Sequence, residues 1–231
     1  MSSCTLGFVL RPVASHDDLL DACAVRAQAY GHHVPELGLD LAQPDALDLA
    51  EGTKVFVCRD KASGRATGTM RIQTSHAGPL MMERSVALPN WLAVPRAEIT
   101  RLAVSTGADP LTKLCLMKAS YLYCVAKQVQ WMVIGARNDA LIRNYRRLGF
   151  VDAMGHDEEV PLGHTGGLLH RILAFDVASA ERTWSAVRHP LYGFMVQTEH
   201  PDLHIAPAPL PLPLPLPSPL PWPALIQMAA A

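Results

Sequence analysis

What this 231-residue sequence lacks narrows its function before any motif is read. It has no excess of either charge: 20 Lys and Arg stand against 21 Asp and Glu, a formal net charge of −1. The broad basic surface that non-specific nucleic-acid binding requires is therefore missing, and a charge-driven partner must use a local patch. The cysteines (Cys4, Cys23, Cys58, Cys115 and Cys124) are odd in number and form no CxxC pair, which argues against a disulfide framework or a zinc ribbon and for reduced, mostly buried thiols. There are ten histidines, among them His32-His33, His156, His164 and His170. None has HExxH or Cys/His metal-site spacing, so no metal is expected and the histidines read as surface or loop residues. No GxSxG or P-loop occurs. The first residues lack the basic-then-apolar order of a secretory signal, and their apolar run is broken by Arg11 and Pro12, so a cytoplasmic location is the expectation.

What is present suits one globular domain and a tail. Residues 5–13 fit a strand, and Asp17 to Tyr30 fit a helix with Ser15 as its N-cap. The stretch from Gly31 to Gly52 has weak periodicity and is long for a connection, which points to a functional loop over a substrate site. Lys54–Arg59 and Ala66–Thr74 read as a hairpin around Asp60-Lys61-Ala62-Ser63-Gly64. Ala97–Val104 reads as a third core strand. Asp109-Pro110 opens a helix to about Lys127, on which Cys115, Met117, Tyr121, Leu122 and Val125 look like a core stripe. Trp131–Ala136 is a buried strand, followed by a short helix closed by Gly149. Phe150–Ala153 and Leu168–Val177 supply the last strands, and Ala178–Arg188 a final helix. The class is mixed α/β, with a domain over 1–205. From Pro207 to Pro223 proline takes every second position, so the uncharged tail over 206–231 favours polyproline II, as a docking ligand or a solvated extension. Its prolines forbid a membrane-spanning helix, and no stable insertion is expected.

The chemistry-bearing residues come in a fixed order: Arg26-x-x-x-Tyr30, Asp45-x-x-Asp48, Arg71 in Gly68-Thr69-Met70-Arg71-Ile72, then Glu98-x-x-Arg101 in Ala97–Val104. Each element alone is weak. Together, over roughly residues 20–150, they resemble the acyl-homoserine-lactone synthases and the long-chain N-acyl amino acid synthases, two related branches of the GNAT superfamily. Asn138–Phe150, with Tyr145-Arg146-Arg147-Leu148-Gly149-Phe150 at its end, is similar to the FYxxxGF segment of general GNAT enzymes, which the amino acid synthases keep and lactone synthases typically lack. The resemblance implies a GNAT-like acyl-CoA N-acyltransferase fold: a mixed central sheet flanked by helices and splayed between its fourth and fifth strands.

The implied reaction joins a fatty acyl group, borne as a thioester on the phosphopantetheine of an acyl carrier protein, to the α-amine of an amino acid; no cofactor is bound. Glu98 is the candidate base. A carboxylate on a buried strand is costly unless it is paired or functional, and an attacking ammonium must first lose a proton. Residues 98 and 101 are an odd number apart, so a direct pair needs a bulge, such as GNAT folds carry on this strand. Arg26, Tyr30, Asp45, Asp48, Arg71 and Arg101 are implied to order or contact the acceptor. The same charges also suit a purely structural ion network.

Pantetheine and acyl chain are expected along Leu102, Ala103, Val104 and Ser105 and beside Ile134, Gly135, Ala136 and Tyr145. The segment Val104-Ser105-Thr106-Gly107-Ala108-Asp109-Pro110 departs from the Q/R-x-x-G-x-G/A loop that holds CoA pyrophosphate, which favours the carrier protein over CoA. Arg143, Arg146 and Arg147 could form the basic face for an acidic carrier, or a solvated helix face. A lactone synthase using S-adenosylmethionine and a non-catalytic GNAT-fold binding module are the alternatives.

Overall fold

The computed structural model describes residues 2–32 and 34–206. The proline-rich stretch from Pro207 onward lies outside the described residues. An eight-stranded sheet organises the chain: β1 (Phe8–Pro12), β2 (Thr53–Asp60), β3 (Ala66–Thr74), β4 (Arg96–Val104), β5 (Trp131–Ala136), β6 (Val151–Asp152), β7 (Glu159–Leu162) and β8 (Leu168–Asp176). Its order is β1-β2-β3-β4-β5-β8-β6, with β7 also on β8, and every pairing is antiparallel except β4 with β5. The hairpin expected between β2 and β3 is present. Asp60 Oδ1 accepts from both the Ser63 amide and hydroxyl at 2.7 Å, and Gly64 takes φ 70° to close the turn.

Helix α1 (His16–Gly31) begins where the Ser15 hydroxyl accepts from the Asp18 amide at 3.1 Å. It lays Leu19, Ala22, Val25 and Arg26 toward the sheet as buried residues. Residues 31–52 carry more structure than their weak periodicity suggests. Helix α2 (Pro35–Asp40), with Pro35 in its first turn, is followed by a 3-10 turn, Ala46–Leu49. Such short segments cannot show a helical period. Helix α2 lies tightly against the end of α1: a Cβ at Gly38 would fall 2.6 Å from the Gly31 Cα and 3.1 Å from the Ala27 carbonyl oxygen. That contact is backbone and cannot swing aside, so Gly38→Ala should cost about 1–3 kcal/mol in urea unfolding.

Helix α3 (Thr112–Ala126) starts three residues after Asp109 rather than at Asp109-Pro110. Asp109 still shapes the entry, its carboxylate accepting from the Leu111 amide at 2.8 Å and its carbonyl from Thr112 at 2.9 Å, a turn that postpones the first helical residue. Of the expected stripe, Cys115, Met117 and Tyr121 are buried, whereas Val125 is half exposed near the helix end. Helix α4 (Asp139–Leu148) matches expectation, with Asn138 capping Leu141 at 2.9 Å and Gly149 left-handed at φ 103°.

Strand β7 was not legible, and helix α5 (Ala180–Ala186) is shorter than expected at both ends. Beyond it the chain returns across α3, where Lys118 Nζ donates to the Phe194 carbonyl at 2.7 Å. Ile99, Ile72 and Met70 join Leu116 and Tyr123 in the main core, while Leu80, Met82, Leu92, Val133 and Leu162 form a smaller cluster. Four of the five free cysteines are buried. Among the described residues no helix is long and apolar enough to cross a membrane.

Candidate active site

Strand β4 carries the bulge that a GNAT-like fold calls for. Its pairing with β3 runs Arg71 to Thr100 and then Thr69 to Ala103, so two β4 residues, Arg101 and Leu102, stand opposite Met70. Arg101 adopts φ 55°, a left-handed conformation that costs a residue with a Cβ about 1–3 kcal/mol and therefore needs support from its surroundings. On the other side, the parallel ladder with β5 extends from Arg96–Trp131 to Ile99–Ile134 and stops. Past that point a cleft of about 570 Å³ opens, lined by Glu98 through Thr106 from β4 and its following turn, by Ile134 and Gly135 from β5, and by Tyr30, Tyr145 and His164.

Glu98 is 1% exposed. One carboxylate oxygen, Oε2, accepts from the Met82 amide at 2.9 Å, and the other, Oε1, has no hydrogen-bond partner among the described residues. Burial pushes this carboxyl up to about 7, against the pull of the Met82 amide and the positive charge of Arg71. The direct Glu98–Arg101 pair considered from spacing is absent. The bulge turns Arg101 toward Asp45, with Nη2 3.7 Å from Oδ2, and Glu98 instead faces His164, whose Nε2 lies 3.9 Å from Oε1.

A network of four charged side chains stands beside the cleft. Arg71 is fully buried; its Nη1 donates to Asp45 at 2.7 and 2.8 Å and to Asp48 at 3.2 Å, while its Nε donates to the Thr100 hydroxyl at 3.0 Å. Arg26 Nη1 donates to both oxygens of Asp48 at 2.9 and 2.8 Å. Asp45 caps the 3-10 turn through the Leu47 and Asp48 amides, and Asp48 accepts in return from the Asp45 amide at 3.1 Å. Two residues three apart on one turn thus tie the loop after α2 to β3 and α1. Arg26, Asp45, Asp48 and Arg71 are not among the lining residues of the cleft, whereas Arg101 and Tyr30 are. The Tyr30 hydroxyl donates to the Leu102 carbonyl at 3.3 Å, holding the bulge, and burial raises its pKa.

Leu102, Ala103, Val104, Ser105, Ile134, Gly135 and Tyr145 all border the cleft, while Ala136 is buried and does not. Arg143 and Arg147 are exposed on α4; Arg146 is paired with Asp152 at 2.6 Å and with Asp157 at 3.9 Å. Lys113, at the start of α3, also lines the cleft, its ammonium 5.9 Å from the centre of the Tyr145 ring.

Of two histidines read as surface or loop residues, one is buried and the other half-buried. His170 lies on β8 in register with inward-facing Ile172 and Ala174, an alternation that was available in the sequence. His164 sits in a 3-10 turn, Gly163–Thr165, that folds over the cleft with its side chain only 9% exposed. Only the glycines around it, with Gly166 at φ 71° and Gly167 at φ 78°, hinted at a special backbone. Burial first, and then the charges of Arg101 and Arg71, lower the His164 pKa to about 4. The ring is neutral at pH 7, so its approach to Glu98 is not a salt bridge.

No family model matches the sequence, and no curated protein matches it either. Solved structures do. FeeM, an N-acyl amino acid synthase from uncultured soil microbes, aligns with a TM-score of 0.61 at 16% identity, over 81% of this chain and 98% of that one. BjaI, a CoA-dependent acyl-homoserine lactone synthase solved with SAM and isopentyl-CoA, aligns at 0.51 and 15% identity over 84% and 93%. The ribosomal-protein-S18-alanine N-acetyltransferase from Escherichia coli aligns at 0.51 and 18% over 74% and 94%. At these identities the likeness establishes the fold, which is the GNAT fold.

Proposed function

We propose that the protein is an N-acyltransferase that moves a fatty acyl group from the thioester of an acyl carrier protein to the α-amine of an amino acid. The observation that carries this reading is Glu98: a buried carboxylate with one oxygen unpartnered among the described residues, lining a cleft at the point where β4 and β5 part. An acid titrating near 7 is matched to removing a proton at neutral pH. In the reaction Glu98 takes a proton from the substrate ammonium, and the freed lone pair forms the C–N bond at the thioester carbonyl. The C–S bond then breaks, and the thiolate leaves with the second proton lost from nitrogen. The proton on Glu98 returns to water.

The acceptor class is supported by Arg101, whose buried Nε has no partner among the described residues and whose side chain lines the same cleft as Glu98. A cation beside a base suits a zwitterion. The carrier-borne donor is supported by the turn before α3. There the Asp109 carboxylate already accepts from the Leu111 amide, placing a negative charge where a CoA pyrophosphate would need bare amides. Arg143 and Arg147 stay exposed for an acidic partner, and Arg146 is partly neutralised by its aspartates. Four buried free thiols fit a reducing, cytoplasmic setting.

Purified protein incubated with acyl-carrier protein or acyl-CoA, and with either an amino acid mixture or S-adenosylmethionine, tests the reading by product mass. N-acyl amino acid formed from the carrier thioester is expected. Lactone formed only with S-adenosylmethionine overturns the acceptor, and a preference for CoA overturns the donor. Absence of any acyl product overturns the reaction.

A further inference from the structure

We propose that His164 completes the acceptor subsite, its Nε2 accepting one N–H of the same substrate amine that Glu98 deprotonates. The assignment rests on the acyltransferase reading above. Its geometry stands on the 3.9 Å between His164 Nε2 and Glu98 Oε1, too long for a hydrogen bond between them and short enough for one nitrogen to lie within about 3 Å of both. Both side chains line the cleft. Glu98 Oε1 is buried without a hydrogen-bond partner among the described residues, a cost that folded proteins rarely carry unless a ligand relieves it.

The spacing is built rather than incidental. One short segment holds both groups: the Met82 amide grips Glu98 at 2.9 Å, and three residues later the Ser85 hydroxyl accepts from the Gly163 amide at 2.9 Å. The Thr165 hydroxyl closes the His164 turn by donating to the Leu162 carbonyl at 2.8 Å. His170 makes the contrast. It is buried and also borders the cleft, yet its Nδ1 is engaged 2.7 Å from the Leu168 carbonyl and carries no unmet hydrogen bond.

The groups acting on the imidazole are Arg101, Arg71 and His170, which disfavour its cation, and Asp45, which favours it. Those acting on Glu98 are Arg71, which favours its anion, and Glu83, which opposes it. A neutral imidazole does not repel an incoming ammonium and offers it a lone pair. Glu98 alone leaves the amine free to rotate about one hydrogen bond. A second acceptor fixes the direction in which the lone pair emerges once the proton has gone, which is an orientation effect on the attacking atom.

The test varies amine and acyl donor separately for wild type, His164→Ala, His164→Gln and His164→Phe. The expected result is a KM for the amine raised about tenfold in the Ala and Phe variants, the worth of one hydrogen bond to a charged group, with the donor KM within about twofold of wild type. The glutamine amide oxygen can still accept and should recover most of the loss. Phe fills the ring volume without an acceptor, so it preserves the comparison if an alanine cavity unfolds the chain. Equal rises in both KM values, no rise in either, or a Gln variant as impaired as Phe overturns the assignment. Wild-type protein that forms no acyl product overturns the acyltransferase reading itself, and this subsite with it.

Discussion

Glu98→Gln should lower kcat for acyl transfer by about 10²- to 10⁴-fold, the range lost when a general base is removed, with the KM for the acyl donor little changed. The substitution is nearly isosteric. The Met82 amide keeps an oxygen acceptor, so the fold has no reason to shift. Wild-type kcat/KM should rise with pH through about 7 and then level off, because the base works only when ionised and its carboxyl titrates there. The Gln variant should lose that limb.

The same substitution separates a catalytic Glu98 from a structural one. Burial raises the folded pKa from the ordinary 4.5 to about 7, so between those values the folded state holds a proton that the unfolded state has released. Stability from this group is therefore full below about pH 4.5 and is lost as pH rises to 7. At pH 8 the ionised carboxylate costs about 3 kcal/mol, and Glu98→Gln should be more stable than wild type in urea by up to that amount, the gap closing near pH 4.5. A structural ion pair predicts the opposite sign, because removing one partner of a buried pair destabilises.

That contrast also shows what could be read from the chain alone. The strand holding Glu98, its burial and the bulge beside it followed from a charge inside an apolar run and from the family's pattern. The hairpin at Asp60–Gly64 and the Gly149 cap of α4 followed from local turn chemistry. What Glu98 faces did not follow, because its neighbours, the Met82 amide and His164, come from segments 16 residues before it and 66 after it, neither with a hydrophobic period. The Arg26–Asp48–Arg71–Asp45 network was visible as a set of residue types in order, yet that these four stand behind the cleft while Arg101 lines it depended on the side-chain directions set at the bulge. The start of α3 was misplaced for a related reason: an Asp-Pro signal marks a chain reversal, and here Asp109 spends it on a turn.

The other large effect should come from Asp48, whose side chain is fully buried between two guanidinium groups. Arg26 already has Nε and Nη2 without partners among the described residues, so Asp48 carries most of its compensation. Asp48→Ala strands Arg26 in the interior, leaves Arg71 to Asp45 alone, and should cost about 3–5 kcal/mol in urea unfolding. Asp45→Ala should cost less. Its carboxylate is 36% exposed, and Arg71 keeps Asp48 when Asp45 is gone. Pairing Arg26→Met with Asp48→Leu replaces ion pair by apolar volume and should recover part of the loss, since charge burial is costly on both sides. This ordering matters for function because the network anchors the 3-10 turn whose Asp45 faces Arg101 in the cleft. If Asp48→Ala instead abolished transfer while leaving stability unchanged, Asp48 would belong to the substrate contacts and not to the framework that positions them.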